Sequence, residues 1–125
     1  MTAARGARVV VLGASPKPTR HSNHAVRMLD GRGFEVVPVH PKATVIEGLR
    51  VSARLDEVTT PVHTLTVYLG PERSGALCEE ILRLRPERVI FNPGAESRRL
   101  ERRLESAGID CVRRCTLVML RDGSF

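Results

Sequence analysis

The sequence predicts an α/β fold built on a mainly parallel, doubly wound sheet of five or six strands. Short apolar runs alternate with helical patterns along all 125 residues, and the connections between them are short. The run from Val9 to Leu12 is apolar at every position, as in parallel strands that are buried on both faces. Because crossovers between parallel strands are right-handed, helices would cover both faces of a single Rossmann-like domain over residues 1–125.

Five strand patterns and a weaker sixth follow one another along the chain. The five cover residues 8–12, 35–39, 65–69, 88–91 and 109–112. The sixth covers residues 49–52 and follows a turn at Glu47 and Gly48. If this weak strand counts as the third in chain order, the expected spatial order of the strands is 3-2-1-4-5-6.

Three segments have the apolar spacing of an amphipathic helix, and they cover residues 23–31, 71–85 and 97–107. Ser22 is the expected N-cap of the first helix, and a short helical turn is expected near residues 55–58. Residues that end helices follow the three segments, namely Gly33, Pro86 and Gly108.

Composition favours a globular protein of the cytoplasm. Hydrophobic residues make up 42% of the chain and charged residues 27%, which is usual for a globular domain. No apolar run approaches the roughly 20 residues that span a bilayer, and no apolar segment precedes the first strand. We therefore expect no membrane partner.

The three cysteines indicate neither disulfides nor a metal site. Cys78, Cys111 and Cys115 are too few and odd in number for a disulfide framework. No further histidine or cysteine pair completes the four ligands of a zinc site around Cys111 and Cys115. We expect reduced thiols and no metal.

The charge balance is basic and arginine carries it. The net charge is +6, and the 20 basic residues include only two lysines, Lys17 and Lys42, which leaves 18 arginines. Such a balance suggests nucleic acid, a membrane surface or a polyanionic small ligand. The arginines are scattered among glutamates, as in residues 96–105, which is typical of solvated helix faces with local ion pairs. Because the chain has few aromatic residues for base stacking, nucleic acid is the less favoured partner.

The turn after the first strand predicts an anion site. The run of valines and Leu12 ends at Gly13, small residues follow, and a helix begins a few residues later. Backbone amides at a helix N-terminus, together with the helix dipole, bind phosphate. Lys17 and Arg20 place two cations beside this turn. A phosphate-bearing ligand is therefore the first hypothesis.

Polar or glycine- and proline-rich loops also follow the other strands that would reach this edge. Glycine and proline occur in turns wherever strands end, but ligands of doubly wound sheets bind beyond the carboxyl ends of the strands. The site hypothesis is therefore favoured over a purely structural explanation. The candidate binding residues are Gly13, Ala14, Ser15, Pro16, Lys17, Arg20, Ser22, His40, Pro41, Lys42, Leu69, Gly70, Asn92, Pro93 and Gly94.

The motifs disfavour NAD as the ligand. The dinucleotide fingerprint G-x-G-x-x-G is absent, since Ala14 and Ser15 follow Gly13. The second strand ends without the carboxylate that would accept hydrogen bonds from a ribose, and Lys42 follows it instead. A cation there suits a ribose that carries a phosphate, which leaves NADP and coenzyme A (CoA), whose adenosine has a 3′-phosphate.

Four segments together resemble a known family. They are Gly13-Ala14-Ser15-Pro16-Lys17 with Arg20, residues 37–42 (VPVHPK), residues 90–94 (IFNPG) and residues 115–120 (CTLVML). This combination is similar to the small stand-alone CoA-binding domain proteins. It is also similar to the N-terminal CoA-binding domain of the succinyl-CoA synthetase alpha subunit and of ADP-forming acyl-CoA synthetases.

The resemblance implies that CoA binds across the point where the strand order reverses. It implies phosphate binding by the turn from Gly13 to Lys17 and by Arg20. It places His40, Pro41 and Lys42 at the adenosine 3′-phosphate, although the family pattern often has asparagine where this chain has His40. It places the pantetheine arm along Leu69, Gly70, Asn92, Pro93 and Gly94.

No catalytic set is visible in the sequence. His21 and His24 lie near the phosphate turn, but no carboxylate is spaced to orient either as a general base. Ser15 lacks the G-x-S-x-G elbow, and Glu96 is expected to cap the helix that follows it. We expect a protein that binds CoA or acyl-CoA as a sensor, carrier or regulatory protein without catalysis. The alternatives are an NADP-dependent oxidoreductase domain and, less favoured, a nucleic-acid-binding module.

Cys115 raises one further hypothesis. If its thiol lies near the CoA thiol, the two would form a mixed disulfide under oxidising conditions. The favoured explanation is a partly buried cysteine that packs as a small hydrophobic residue.

Overall fold

A computed structural model describes residues 2–125, and it contains a parallel sheet covered by helices on both faces. The strands are β1 (Arg8–Leu12), β2 (Glu35–Val39), β3 (Val45–Ile46), β4 (Leu49–Arg50), β5 (Thr64–Val67), β6 (Arg88–Phe91) and β7 (Asp110–Arg113). The helices are α1 (His21–Gly31), α2 (Pro71–Gly75), α3 (Cys78–Leu84), α4 (Arg98–Ser106) and α5 (Thr116–Asp122), with a 3-10 turn at Leu55–Glu57. Five parallel strands lie in the order β2-β1-β5-β6-β7, which confirms the predicted α/β, Rossmann-like fold.

Strand β1 lies inside the sheet, and its side chains pack alternately into two separate hydrophobic cores, one on each face. Val9 and Val11 pack with residues of α1 and α5 on one face. Val10 and Leu12 pack with residues of α3 and α4 on the other face. All four side chains are buried, as expected when neighbouring residues of a strand point to opposite, covered faces.

The weak sixth strand only partly confirms the predicted strand order. β4 pairs antiparallel with β3 in a separate two-stranded hairpin, because a turn with positive φ at Glu47 and Gly48 folds the chain back. Beyond the hairpin, Ser52 forms a single parallel bridge with Val39 of β2. The segment therefore runs beside β2 as predicted, but a single bridge replaces a full third strand.

Two helices differ from the prediction. The segment 71–85 forms α2 and α3, with a break at Ala76 and Leu77 directly after Gly75, a weak helix former. The seven-residue helix α5 was not predicted from periodicity, because it has only two turns in which to display a pattern. Its one sequence signal is Gly123, which has φ of +81° just past the helix end.

The predicted caps are corrected at two helices. α1 begins at His21 with Arg20 at the N-cap position, so the assignment of Ser22 as the cap was wrong, and Ser22 is buried within the first turn. At α4, Ser97 Oγ accepts a hydrogen bond from the Leu100 amide at 3.3 Å. The Glu96 carboxylate does not cap α4 but accepts a hydrogen bond from the Gly94 amide at 2.9 Å.

Residues 2–125 lack two features that would bear on function. No helix in this range is long and apolar enough to cross a membrane. The same residues contain no group of three or more histidine, cysteine, aspartate or glutamate side chains placed to hold a metal ion. The three cysteines are free and half-buried.

Candidate functional site

A cleft of about 1250 Å³ opens at the carboxyl edge of the sheet, where β1 lies between β2 and β5. The chain passes from β1 to β2 on one side and later to β5 on the other, so this is the switch point at which doubly wound sheets bind ligands. The volume exceeds the roughly 300–1,000 Å³ of common small-molecule pockets, so the cleft has room for a large, extended ligand. Ten of the predicted residues line it: Gly13, Ala14, Ser15, Pro16, Lys17, Arg20, Ser22, His40, Pro41 and Leu69.

Gly13 sets the floor of the cleft. It has φ of +86°, and a β-carbon built on it would lie 2.9 Å from Leu69 Cδ2 and 3.2 Å from the Tyr68 carbonyl carbon. The Tyr68 amide donates to the Leu12 carbonyl at 2.9 Å, so the ends of β1 and β5 are held together here. Only glycine fits both the backbone angle and the close approach.

Residues 13–20, which we call the anion loop, lead into a helix N-terminus with open amides. The Lys17 amide donates to Ser15 Oγ at 3.1 Å, and the Arg20 amide donates to the Lys17 carbonyl at 3.1 Å. The first intrahelical bond runs from the His24 amide to the Arg20 carbonyl. No residue in the range 2–125 accepts from the three amides of residues 21–23, and the first turn of α1 has no acidic side chain. These amides and the helix dipole favour an anion.

The charges on the cleft wall leave an excess of positive charge. Lys17, Arg20 and Arg73 line the cleft and are exposed, and none of them forms an ion pair with another described residue. Of the carboxylates that line the cleft, Asp56 lies 3.0 Å from Arg54 and Glu80 lies 3.6 Å from Arg83. The acidic side chains are therefore compensated and the three cations are not.

The structure fixes the hydrogen-bonding role of His40. Its Nδ1 accepts from the amides of Lys42 at 3.1 Å and Ala43 at 2.9 Å. Nδ1 is therefore unprotonated and the neutral ring carries its proton on Nε2. An asparagine side-chain oxygen makes the same contacts in an Asx turn, so His40 can replace the asparagine of the related pattern. Its Nε2–H remains as a donor at the cleft.

Five of the predicted residues do not line the cleft: Lys42, Gly70, Asn92, Pro93 and Gly94. Asn92 is only 2% exposed, and its Nδ2 donates to Thr66 Oγ1 at 2.7 Å and to the Val67 carbonyl at 2.9 Å. Its Oδ1 accepts from the Thr116 amide at 2.8 Å. The side chain thus joins β5, β6 and α5, and ligand contacts by these five residues stay predictions.

Part of the cleft wall was missed by sequence reasoning. The 3-10 turn, the end of β5 and the segment from α2 to α3 supply most of it, whereas the sequence pattern predicts a site only in the loops directly after strands. The missed residues include Thr19, Ala53, Arg54, Leu55, Asp56, Tyr68, Arg73, Ala76, Leu77 and Glu80, whereas His21, which the sequence placed near the phosphate turn, also lines the cleft. Burial raises the pKa of Tyr68, so its phenol stays protonated at neutral pH.

A family model described as a CoA binding domain matches residues 7–121, which is most of the chain. The chain belongs to this CoA-binding domain family. The cleft, the anion loop and the open end of α1 all lie inside the matched range.

Solved structures agree with this assignment. The chain is 37% identical to an uncharacterized protein whose crystal structure superposes with a TM-score of 0.92, covering 98% of this chain and 100% of that one. It is 30% identical to the protein called cell-free ID.343 from Thermus thermophilus, with a TM-score of 0.88 and coverage of 96% and 91%. An acetyl-coenzyme A synthetase of Candidatus Korarchaeum cryptofilum is 19% identical with a TM-score of 0.71, over 86% of this chain and 25% of the synthetase, and shows the shared fold.

A curated relative is the uncharacterized protein YneT of Bacillus subtilis. It is 28% identical over 78 residues, which make up 62% of this chain. The match spans 58% of the length of YneT, a little over half of that protein.

Two cysteines of this CoA-binding domain lie outside the cleft wall. Cys115 is at the N-cap of α5 and packs, half-buried, against the core on that face. Cys111 lies in β7, where burial, with a smaller contribution from nearby carboxylates, raises its pKa to about 12. Its thiolate fraction at neutral pH is therefore small, and only the thiolate is a strong nucleophile.

Proposed function

We propose that the protein binds CoA or an acyl-CoA in the cleft at the switch point and acts as a sensor, carrier or regulatory protein without catalysis of its own. The observation that carries this proposal is the coincidence of three open α1 amides with uncompensated cations, in a chain of the CoA-binding domain family. These donors suit a pyrophosphate, which is the most highly charged part of such a ligand.

The remaining parts of the ligand have matching surfaces. The Nε2–H of His40 and the exposed side chain of Lys42 are proposed to bind the adenosine 3′-phosphate, a group that NAD lacks. Leu55, Leu69 and Leu77 give the cleft apolar surface for the pantetheine arm. We expect the affinity to come from several partial contacts along an extended molecule.

The histidines support a role without catalysis. His40 Nδ1 is occupied by two backbone amides, and His63 Nδ1 lies 2.7 Å from Thr64 Oγ1. No carboxylate in the described part of the chain hydrogen-bonds His21 or His24 to orient either as a base. General-base catalysis needs such an oriented group within reach of the substrate.

Calorimetric titration with CoA, dephospho-CoA, NADP and NAD tests the proposal. We expect CoA to bind most tightly, with dephospho-CoA weaker because it lacks the 3′-phosphate. CoA at about one hundred times its dissociation constant should stabilise the fold by about 2.7 kcal/mol. NADP that binds as tightly as CoA would favour an oxidoreductase domain, and a DNA duplex that competes with CoA would favour a nucleic-acid-binding module.

A pair of arginine variants locates the site. Arg20→Ala removes an uncompensated cation of the cleft and should weaken CoA binding by about tenfold. Arg99→Ala removes the same charge from the exposed surface of α4 and should leave the affinity unchanged. Equal effects of the two variants would mean that only net charge matters and that the cleft is not the site.

A further inference from the structure

We propose that Asn23 is a positioning residue that holds the anion loop in its ligand-ready shape and, through Glu47, couples this loop to the β3–β4 hairpin. This inference rests on the proposed function, and it concerns residues that are not expected to touch the ligand. Asn23 is fully buried in the first turn of α1 and does not line the cleft.

Asn23 uses three of its four hydrogen-bonding positions to join three segments. Its Nδ2 donates to the Ser15 carbonyl at 2.9 Å and to Glu47 Oε2 at 3.1 Å. Its Oδ1 accepts from Arg27 Nε at 2.9 Å. A buried amide with both protons used cannot rotate without leaving donors and acceptors unpaired, so the arrangement is fixed.

Arg27 forms a second link between α1 and the anion loop. It contacts Asn23 through Nε and donates through Nη2 to the Pro18 carbonyl at 3.0 Å. The carbonyls of Ser15 and Pro18 are thus both drawn toward α1. Because the two sides of a trans peptide point in opposite directions, the Thr19 N–H points away from Arg27. Thr19 itself lines the cleft, so the two hydrogen bonds to Asn23 and Arg27 fix the backbone on both sides of a cleft-lining segment.

Glu47, at the tip of the β3–β4 hairpin, accepts the hydrogen bond from Asn23. It is one of two residues other than glycine that have positive φ in the described range, at +50°. The left-handed conformation is unfavourable for a side chain of this kind, and the hydrogen bond to Asn23 compensates part of the cost. A carboxylate here also repels a phosphate ligand, so its charge and its positioning role have opposite effects on affinity.

Hydrogen exchange and CoA titration of Asn23→Asp test the proposal. Aspartate keeps the size and the contact with Arg27 but cannot donate to the Ser15 carbonyl or to Glu47. We expect faster amide exchange in residues 15–20 of the ligand-free protein and CoA binding weaker by about tenfold. Unchanged exchange and unchanged affinity would overturn the proposal.

If Asn23→Asp fails to fold, variants at two exposed positions, Glu47 and Asp30, still test the proposal. Glu47→Ala should accelerate exchange of the anion loop and weaken CoA binding by about threefold, whereas a purely electrostatic role predicts stronger binding. Asp30→Ala is the matched control, since it removes the same charge from the exposed face of α1 and should change neither quantity. Tighter CoA binding by Glu47→Ala together with unchanged exchange of residues 15–20 would overturn the coupling.

Arg27→Lys separates the geometry of Arg27 from its charge. Lysine retains the charge but has one nitrogen in place of the two fixed nitrogens, Nε and Nη2, that contact Asn23 and Pro18, so we expect faster loop exchange and weaker CoA binding than in the wild type. A wild-type protein that does not bind CoA would refute the proposed function. The exchange rates of residues 15–20 in the ligand-free variants would still decide whether Asn23 holds the loop.

Discussion

Gly13 and Leu69 meet where β1 and β5 end, so closely that no β-carbon fits between them. The left-handed backbone of Gly13 and the 2.9 Å approach to Leu69 Cδ2 both exclude a larger residue. The left-handed backbone at one glycine thus lets the Leu69 side chain pack against the end of β1, and this glycine is also the residue that ends the first apolar run of the sequence.

Gly13→Ala should lower the free energy of unfolding by about 1–3 kcal/mol, because it combines backbone strain with a displaced Leu69. Urea denaturation measures this change. Gly75→Ala is the control, since a β-carbon there meets no atom within 4 Å and the residue ends α2 without positive φ. It should be neutral or stabilise by up to about 1 kcal/mol. Equal stability of Gly13→Ala and the wild type would contradict the assigned role of Gly13.

Asn92→Ala should destabilise the fold more than it weakens ligand binding. The substitution leaves the buried Thr116 amide without its acceptor and removes the donor to Thr66 Oγ1 and the Val67 carbonyl. We expect a loss of about 1–3 kcal/mol in denaturant titration. Pro93→Ala, at an exposed position of the same loop, is the control and should change the free energy of unfolding little. Gly94→Ala is less suitable, because Gly94 has a positive φ that alanine adopts only with strain. If CoA affinity falls in Asn92→Ala without loss of stability, the side chain contacts the ligand as the family resemblance implied.

The parts of the site that could be predicted are those in which a few consecutive residues determine the structure. A buried strand that ends at Gly13 and continues into α1 is such a unit, and the anion loop follows from it. The parallel sheet likewise follows from apolar runs, which need no knowledge of distant contacts.

The parts that could not be predicted depend on which way a side chain points in the folded chain. Asn92 lies two positions after Ile90, so strand alternation directs both toward the face that α5 covers. The family resemblance placed Asn92 beside the ligand, whereas its contact with the unpredicted helix α5 had no signal in the sequence, and ligand contact by Asn92 stays a prediction. Leu55 and Leu77 line the cleft only because the 3-10 turn and α3 pack together, a long-range contact with no local signal.

Acidification should destabilise the protein partly through His63. Burial, and secondarily the charge of Arg88, lowers the pKa of His63 below 6.5. The unfolded state therefore binds a proton more readily than the folded state, so the free energy of unfolding falls as pH decreases below 6.5. His63→Gln should flatten this part of the pH profile, measured by denaturation between pH 7 and pH 5. His24→Gln, at a partly buried position on α1, serves as the control, and an equally flattened profile there would contradict the assignment to His63.

When the native protein is treated with CoA disulfide, Cys111 and Cys115 should stay unmodified over a time in which a small exposed thiol is fully modified. A mixed disulfide forms when a protein thiolate attacks one sulfur of CoA disulfide and releases the other CoA as a thiolate. Burial raises the pKa of Cys111 to about 12, and Cys115 is half-buried at the start of α5 outside the cleft wall. Intact-mass measurement detects each adduct, and the denatured protein is the positive control, since all three thiols are then exposed. A rapid adduct on Cys115 in the native protein, abolished by Cys115→Ser, would instead show that the CoA thiol reaches this residue.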